Sequence, residues 1–215
     1  MMNTDFMKGV IVPILTPIDE NEWIDEIKMR EQVDFVINGG VSGILAFGSN
    51  GEFYVIEEDE MERGLKIIVD QAAGRVPVYF GIGAISTKKC VRLAKMAVAC
   101  GAAGVSVLQP MFLKPTETEL FCHFKTIAEA VPEIPVLLYN NPGRVGYTLS
   151  ADLVEKLAHE VKNIVGMKDT SGDITQTEEF IRRNADVGFK VFGGKDTLLY
   201  ASLCIGAVGG VCTAG

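Results

Sequence analysis

Lys168 is the residue whose position most clearly invites chemistry. It ends the apolar run Ile164-Val165-Gly166-Met167. Alternate residues of a strand share a face, so Ile164, Gly166 and Lys168 point the same way. If that face lines a barrel, the ammonium is partly desolvated, and desolvation disfavours the charged form of an amine. A neutral amine attacks carbonyl carbon, so a Schiff base becomes the natural reaction. Gly166, one pleat below, is expected to leave room for the long side chain. The competing reading is a lysine that snorkels to solvent from a strand end. Position alone leaves the two readings open.

Tyr139 closes the preceding apolar run, so its phenol and the Lys168 amine could meet at one barrel mouth. A phenol there can relay protons while a carbinolamine forms and loses water; a tyrosine that merely plugs the barrel is the alternative. Ser49 and Asn50 lie in Gly48-Ser49-Asn50-Gly51-Glu52. The flanking glycines permit unusual dihedrals, and two polar side chains plus free N–H groups can hold a carboxylate. Arg144, five residues after Tyr139, could grip a second carboxylate bidentately, or simply be solvated. Lys195 is the rival amine, more in keeping with a loop lysine. Gly81-x-Gly83-x-x-Ser86 lacks the third glycine of a dinucleotide fingerprint. His123 and His159 are the only histidines and fall in expected helices, which disfavours a histidine-based metal or nucleophile site.

The elements that must position these groups repeat along the chain. Short apolar runs at Val10–Ile14, Gly43–Phe47, Val76–Phe80, Gly104–Leu108, Val136–Tyr139, Ile164–Lys168, Lys190–Phe192 and Ala207–Val211 alternate with helical patterns. Their centres are mostly about 26 to 34 residues apart, the length of a βα unit. Glu57 to Glu60 crowd one expected first turn, where the helix dipole favours negative charge. Thr116 with Glu119 reads as a capping box, and Ser150 as an N-cap. Eight strands with seven intervening helices predict an α/β fold, a (β/α)8 TIM barrel in one domain over residues 1–215. An open doubly wound sheet is the alternative. Such barrels usually need about 250 residues. The sequence stops just after the eighth run, so a C-terminally incomplete barrel is expected, lacking its last helix and exposing apolar surface along strands eight and one.

Composition narrows the partners. The 215 residues carry 20 Lys and Arg against 28 Asp and Glu, a formal charge of −8. No basic patch is present to neutralise phosphates, which argues against nucleic acid. Mean hydropathy is +0.24, yet no run approaches the ~18 apolar residues of a membrane span. The first residues, Met1-Met2-Asn3-Thr4-Asp5-Phe6, carry neither a basic region nor a long apolar stretch, so no signal peptide is expected. Five cysteines with no CxxC pair suit a reducing compartment, hence a cytoplasmic location.

The motifs Gly48-Ser49-Asn50-Gly51-Glu52, Tyr139-Asn140-Asn141-Pro142-Gly143-Arg144-Val145-Gly146 and Gly166-Met167-Lys168-Asp169-Thr170 together resemble the dihydrodipicolinate synthase / N-acetylneuraminate lyase family. The 29-residue separation of Tyr139 and Lys168 is similar to that family's spacing. The resemblance runs from Gly9–Pro17 to Gly209–Cys212. It implies a (β/α)8 barrel with a C-terminal helical extension, in a homo-oligomer, usually a tetramer. It implies a class I lyase or aldolase that works on pyruvate or another 2-oxo acid without metal or cofactor. Lys168 would form the Schiff base, and Tyr139 would relay protons. Ser49 and Asn50 would sit in the keto-acid carboxylate loop, and Arg144 would face the second substrate's carboxylate.

Two positions depart from the synthases of that family. They usually carry two threonines where this chain has Ser49 and Asn50, and a tyrosine where it has Phe112. Gly48–Glu52 and Gly206–Cys212 resemble instead 4-hydroxy-2-oxoglutarate aldolases and related hydratase-aldolases, whereas Arg144 resembles the synthases. A synthase-like condensation of pyruvate with an acidic aldehyde is the first expectation, cleavage of a hydroxylated 2-oxo acid the second. The rivals from other classes are a non-catalytic barrel that binds a keto acid and a metal-dependent aldolase.

Overall fold

The computed structural model describes residues 2–214. Eight strands, β1 (Gly9–Pro13), β2 (Gly43–Ala46), β3 (Val78–Ile82), β4 (Gly104–Leu108), β5 (Val136–Asn140), β6 (Ile164–Asp169), β7 (Lys190–Gly193) and β8 (Gly209–Val211), pair in parallel and in chain order. Pairing of β1 with β8 closes the barrel, with Gly9, Val10 and Ile11 opposite Gly209, Gly210 and Val211. A side chain at Gly209 is impossible there, because its Cβ would lie 2.0 Å from the Gly9 carbonyl oxygen. The open doubly wound sheet is thereby ruled out. The third strand begins two residues later than the run Val76–Phe80 predicts, since Pro77 has no N–H to give a ladder.

Seven helices connect the strands, as the repeat predicts: α1 (Glu26–Asn38), α2 (Glu58–Ala72), α3 (Thr87–Ala99), α4 (Glu117–Glu129), then, past one extra turn α5 (Pro142–Val145), α6 (Ala151–Glu160), α7 (Ile174–Arg183) and α8 (Leu199–Cys204). Both expected caps form. Thr116 and Glu119 make the reciprocal capping box of α4, and the Ser150 hydroxyl accepts from the Leu153 N–H at 3.1 Å. Each such cap stabilises its helix by about 1 kcal/mol. The acids Glu58, Asp59 and Glu60 open α2, and Glu58 also takes a bidentate pair from Arg92 on α3.

Two apolar layers hold these elements. Outward residues of the strands, Phe80, Leu138 and Met167 among them, pack against helix residues such as Leu65, Leu93 and Phe180. Inside the barrel, Ile11, Leu45, Tyr79, Leu137, Phe192 and Val211 form a separate plug. The inner face therefore rises from an apolar floor to a polar mouth at the strands' carboxyl ends, where barrels of this kind place their chemistry. On the outer side, a groove between α1 and the β1–β8 seam is lined by Val10, Phe35, Val36, Val41 and Ala214.

Candidate active site

Register alone brings the two expected groups together: Tyr139 on β5 is the direct partner of Lys168 on β6. Lys168 Nζ lies 4.4 Å from the centre of the Tyr139 ring. The lysine is 7% exposed and the tyrosine 6%, so the amine points into the barrel mouth and does not snorkel. Gly166 serves another purpose than the one expected. Its Cβ would fall 2.3 Å from the Lys190 carbonyl oxygen and 2.9 Å from Leu137 Cδ2, so the space beside it is taken by β7 backbone and the plug.

The phenol oxygen of Tyr139 accepts a hydrogen bond from Asn141 Nδ2 at 2.7 Å. Burial pushes the phenol's pKa up. The charge of Lys168, with hydrogen bonding from Ser49, Asn141 and Lys168, outweighs burial and holds it below the ordinary tyrosine value. Ser49 thus reaches the pair from the opposite side of the barrel.

The loop carrying Ser49 and Asn50 turns differently from the expectation. The left-handed residues are Phe47 (φ 51°) and Glu52 (φ 54°), not the two glycines. Gly51 is needed for close approach, its Cβ position lying 3.1 Å from the Ile14 carbonyl oxygen and from Phe47 Cα. Thr16 Oγ1 donates to the Gly51 carbonyl at 2.7 Å and pins the loop to the end of β1. The backbone N–H groups of Ser49 and Asn50 have no acceptor among the described residues. Both side chains are half-buried. The Asn50 amide donates to Thr213 Oγ1 at 3.2 Å, and Asp196 accepts from the Thr213 and Ala214 N–H groups. A polar strap therefore crosses the mouth from β2 to the end of β8.

Sequence reasoning assigned no role to the residues that brace this site. Asp169, next to the lysine, faces the other way and is buried. Its carboxylate accepts from Asn140 Nδ2 (2.9 Å), Ser171 N (3.1 Å), Ser171 Oγ (2.9 Å) and Thr177 Oγ1 (2.6 Å). Gln109 accepts from the Asn141 N–H and donates to the Tyr147 carbonyl, fixing the chain just beyond Tyr139. Gly194 keeps the flank of Lys168 open, since a Cβ there would lie 3.1 Å from Lys168 Cε and 2.1 Å from Thr170 Oγ1. The only signal available was that these polar residues stand at strand ends.

Arg144 sits in the four-residue α5 beyond β5, exposed and with no ion-pair partner among the described residues. It is near the mouth in chain order but is not part of the buried cluster. Lys195 is exposed and lies over Gly172. His123 is buried in α4 against Thr87, and His159 ends α6 beside Asp186. Among the described residues no three His, Cys, Asp or Glu side chains are grouped to hold a metal ion, and no helix is long and apolar enough to cross a membrane.

The chain is similar along nearly its whole length to proteins of known family. A 4-hydroxy-tetrahydrodipicolinate synthase of Trichlorobacter lovleyi is 42% identical over 202 residues, covering 94% of this chain and 68% of the relative. The crystal structure of a dihydrodipicolinate synthase of Bacillus anthracis superposes with a TM-score of 0.93 at 34% identity, over all of this chain and 71% of the other. A chloride-inhibited dihydrodipicolinate synthase of Acinetobacter baumannii, crystallised with pyruvate, is 35% identical with a TM-score of 0.92, covering 96% of this chain and 70% of that one. The Dihydrodipicolinate synthetase family model matches residues 6–215, and with a relative at this identity it follows that the chain belongs to that family.

Proposed function

We propose that this protein is a class I lyase of the 4-hydroxy-tetrahydrodipicolinate synthase type, which condenses pyruvate with an acidic aldehyde such as aspartate semialdehyde through a Schiff base on Lys168. The observation that carries the reading is the buried Lys168 amine held over the Tyr139 ring at 4.4 Å.

The pyruvate carboxylate docks on the free N–H groups and side chains of Ser49 and Asn50. That places the keto carbon toward Lys168, whose amine adds to it. A C–N bond forms, and the carbonyl electron pair goes to oxygen, which takes a proton from the Tyr139 phenol. The carbinolamine nitrogen gives one proton to the Tyr139 phenolate, and the re-formed phenol protonates the hydroxyl, which leaves as water and leaves the protonated imine. The imine withdraws electrons from the neighbouring methyl, which loses a proton to the Tyr139 phenolate to give the enamine. The enamine carbon then attacks the aldehyde, whose oxygen takes the proton from Tyr139. The imine is itself the electron sink, so neither metal nor cofactor is needed. Arg144, exposed at the rim, pairs with the carboxylate of the aldehyde substrate.

The same reading includes a homo-oligomer, dimer or tetramer, and a reducing cytoplasm as the setting. Phe112 and Leu113, 90% and 75% exposed, supply apolar surface for such an assembly. The five cysteines are unpaired, as a reducing compartment requires. Its partners are small molecules, with neither nucleic acid nor membrane among them. The second reading, cleavage of a hydroxylated 2-oxo acid, is favoured by one observation: Asn50 spends its amide on Thr213 and has no hydroxyl to pass a proton on.

Borohydride reduction with pyruvate, followed by peptide mass spectrometry, tests the class. A reduced pyruvate adduct is expected on Lys168, and none in Lys168→Ala, which also loses turnover. An adduct on Lys195, or full turnover by Lys168→Ala, overturns it. Kinetics with aspartate semialdehyde against 4-hydroxy-2-oxo acids separate the two readings.

A further inference from the structure

One polar atom inside the barrel is not accounted for by the site above. Ser106, in the middle of β4, stands in register with Gly81 on one side and Leu137 on the other. Leu137 belongs to the interior plug, and registered neighbours in a parallel sheet share a face, so Ser106 points inward as well. Two residues further along each strand, Leu108, Tyr139 and Lys168 form the next row toward the mouth. Ser106 therefore lies one pleat below the reacting groups. It is 3% exposed, and its hydroxyl has no hydrogen-bond partner among the described residues. Burying a hydroxyl without a partner is costly, so such groups in folded proteins are ordinarily satisfied.

Ser106 borders a small, partly open pocket shared with Ser49, Gly81, Leu108 and Tyr139. The absence of a side chain at Gly81 keeps that cavity open. A Cβ there would collide with the Phe47 carbonyl oxygen at 2.5 Å, so no larger residue can close it. The void has room for at most one water, and its walls are mostly apolar, so a water there depends on the few hydroxyls at its edge. Three hydroxyls, those of Ser106, Ser49 and Tyr139, line it, and a buried water typically makes about three hydrogen bonds.

We infer that Ser106 is a positioning residue: it fixes a single buried water beneath the mouth, and that water hydrogen-bonds the Ser49–Tyr139 pair and stabilises the phenolate formed when Tyr139 gives up its proton. The inference rests on the Schiff-base reading above. The phenol gives its proton to the developing alkoxide at the keto carbon. The phenolate left behind is held by hydrogen bonds from the water and Ser49, and the phenol is restored when the proton lost by the pyruvate methyl returns to it. No proton is gained or lost overall. A water that donates to the phenolate also favours the charged form of Tyr139. Tyr139 is the only titratable group lining the cavity, and Lys168 is the charge that faces it.

Ser106→Thr and Ser106→Val provide the test, because threonine and valine have the same shape and differ by the hydroxyl. The readouts are steady-state kinetics and loss of the pyruvate methyl proton signal in heavy water, which reports enamine formation without a second substrate. Ser106→Thr is expected to behave like the unaltered protein. Ser106→Val is expected to be roughly tenfold slower in kcat and in exchange, about the kinetic worth of one hydrogen bond. Its KM for pyruvate should stay within about twofold, and the alkaline limb of its kcat profile should move up. If the two variants coincide in rate and pH profile, whether both active or both slow, the inference is overturned. Borohydride trapping keeps the levels apart. An unaltered protein that forms no pyruvate adduct overturns the Schiff-base reading and this inference with it. Trapping with coincident variants overturns this inference alone.

Discussion

Replacing Tyr139 by phenylalanine removes one oxygen from the centre of the site and little else. The ring remains, so the contact with Lys168 Nζ at 4.4 Å is kept. The 2.7 Å hydrogen bond from Asn141 Nδ2 is lost, and a buried amide donor is left without its acceptor. That costs about 1–3 kcal/mol of stability. For a chain of this size each kcal/mol lowers Tm by about 2–4 °C. The kinetic loss is larger. A positioned proton donor contributes about 10²–10⁴ in rate, or about 2.7–5.4 kcal/mol at ~1.36 kcal/mol per decade. The expected result is a folded protein with Tm a few degrees lower, kcat down by that factor, and pyruvate still trapped on Lys168, only slowly. Because Lys168, Ser49 and Asn141 together hold the phenol below its ordinary value, the alkaline limb of kcat should lie below pH 10, and it should vanish in the variant. Methyl-proton exchange within threefold of the unaltered rate, with the alkaline limb intact, would refute the assignment of proton transfer to Tyr139.

Arg144→Ala should leave pyruvate trapping unchanged and raise KM for an acidic aldehyde by about tenfold or more, as loss of a charge-assisted hydrogen bond requires; unchanged kinetics with both classes of substrate would remove Arg144 from recognition. His123 makes stability fall on the acid side. Burial depresses its pKa from 6.5 to about 4, so the unfolded chain binds the proton first as pH drops. Its contribution is complete above pH 6.5 and is lost progressively down to pH 4, up to about 3 kcal/mol. Urea midpoints between pH 4 and 7 should show this slope, flattened in His123→Gln, and equal slopes would exclude the histidine as its source.

What could be read from the sequence was whatever is periodic or local. The recurrence of apolar runs gives eight strands, and a lysine or tyrosine ending such a run is visible as an exception to its pattern. Thr116 and Glu119 reveal a helix start because the capping box is contained in four residues. The braces around the site have no such signature. Asp169 draws its donors from Asn140, 29 positions back, and Thr177, eight ahead; Asn50 finds Thr213, 163 positions away. Those pairings exist only once the barrel has closed. The glycines were legible as markers but not in their reasons. Gly51 and Gly166 answer to backbone from other strands, and the left-handed turns fall on Phe47 and Glu52.

The arrangement of charge around Lys168 explains why its two neighbours in sequence and in space play different parts. Strand alternation turns Asp169 away from the amine, and four donors occupy its carboxylate, so no ion pair forms between them among the described residues. The amine meets a phenol in place of a carboxylate. The phenol feels the amine, because the lysine charge is the largest influence that lowers the Tyr139 pKa against burial. Removing Lys168 thus does two things: it deletes the nucleophile, and it takes away the largest influence that holds the phenol's pKa down against burial. The effects of Lys168→Ala and Tyr139→Phe should therefore not add, since each single change already disables the unit the two residues form.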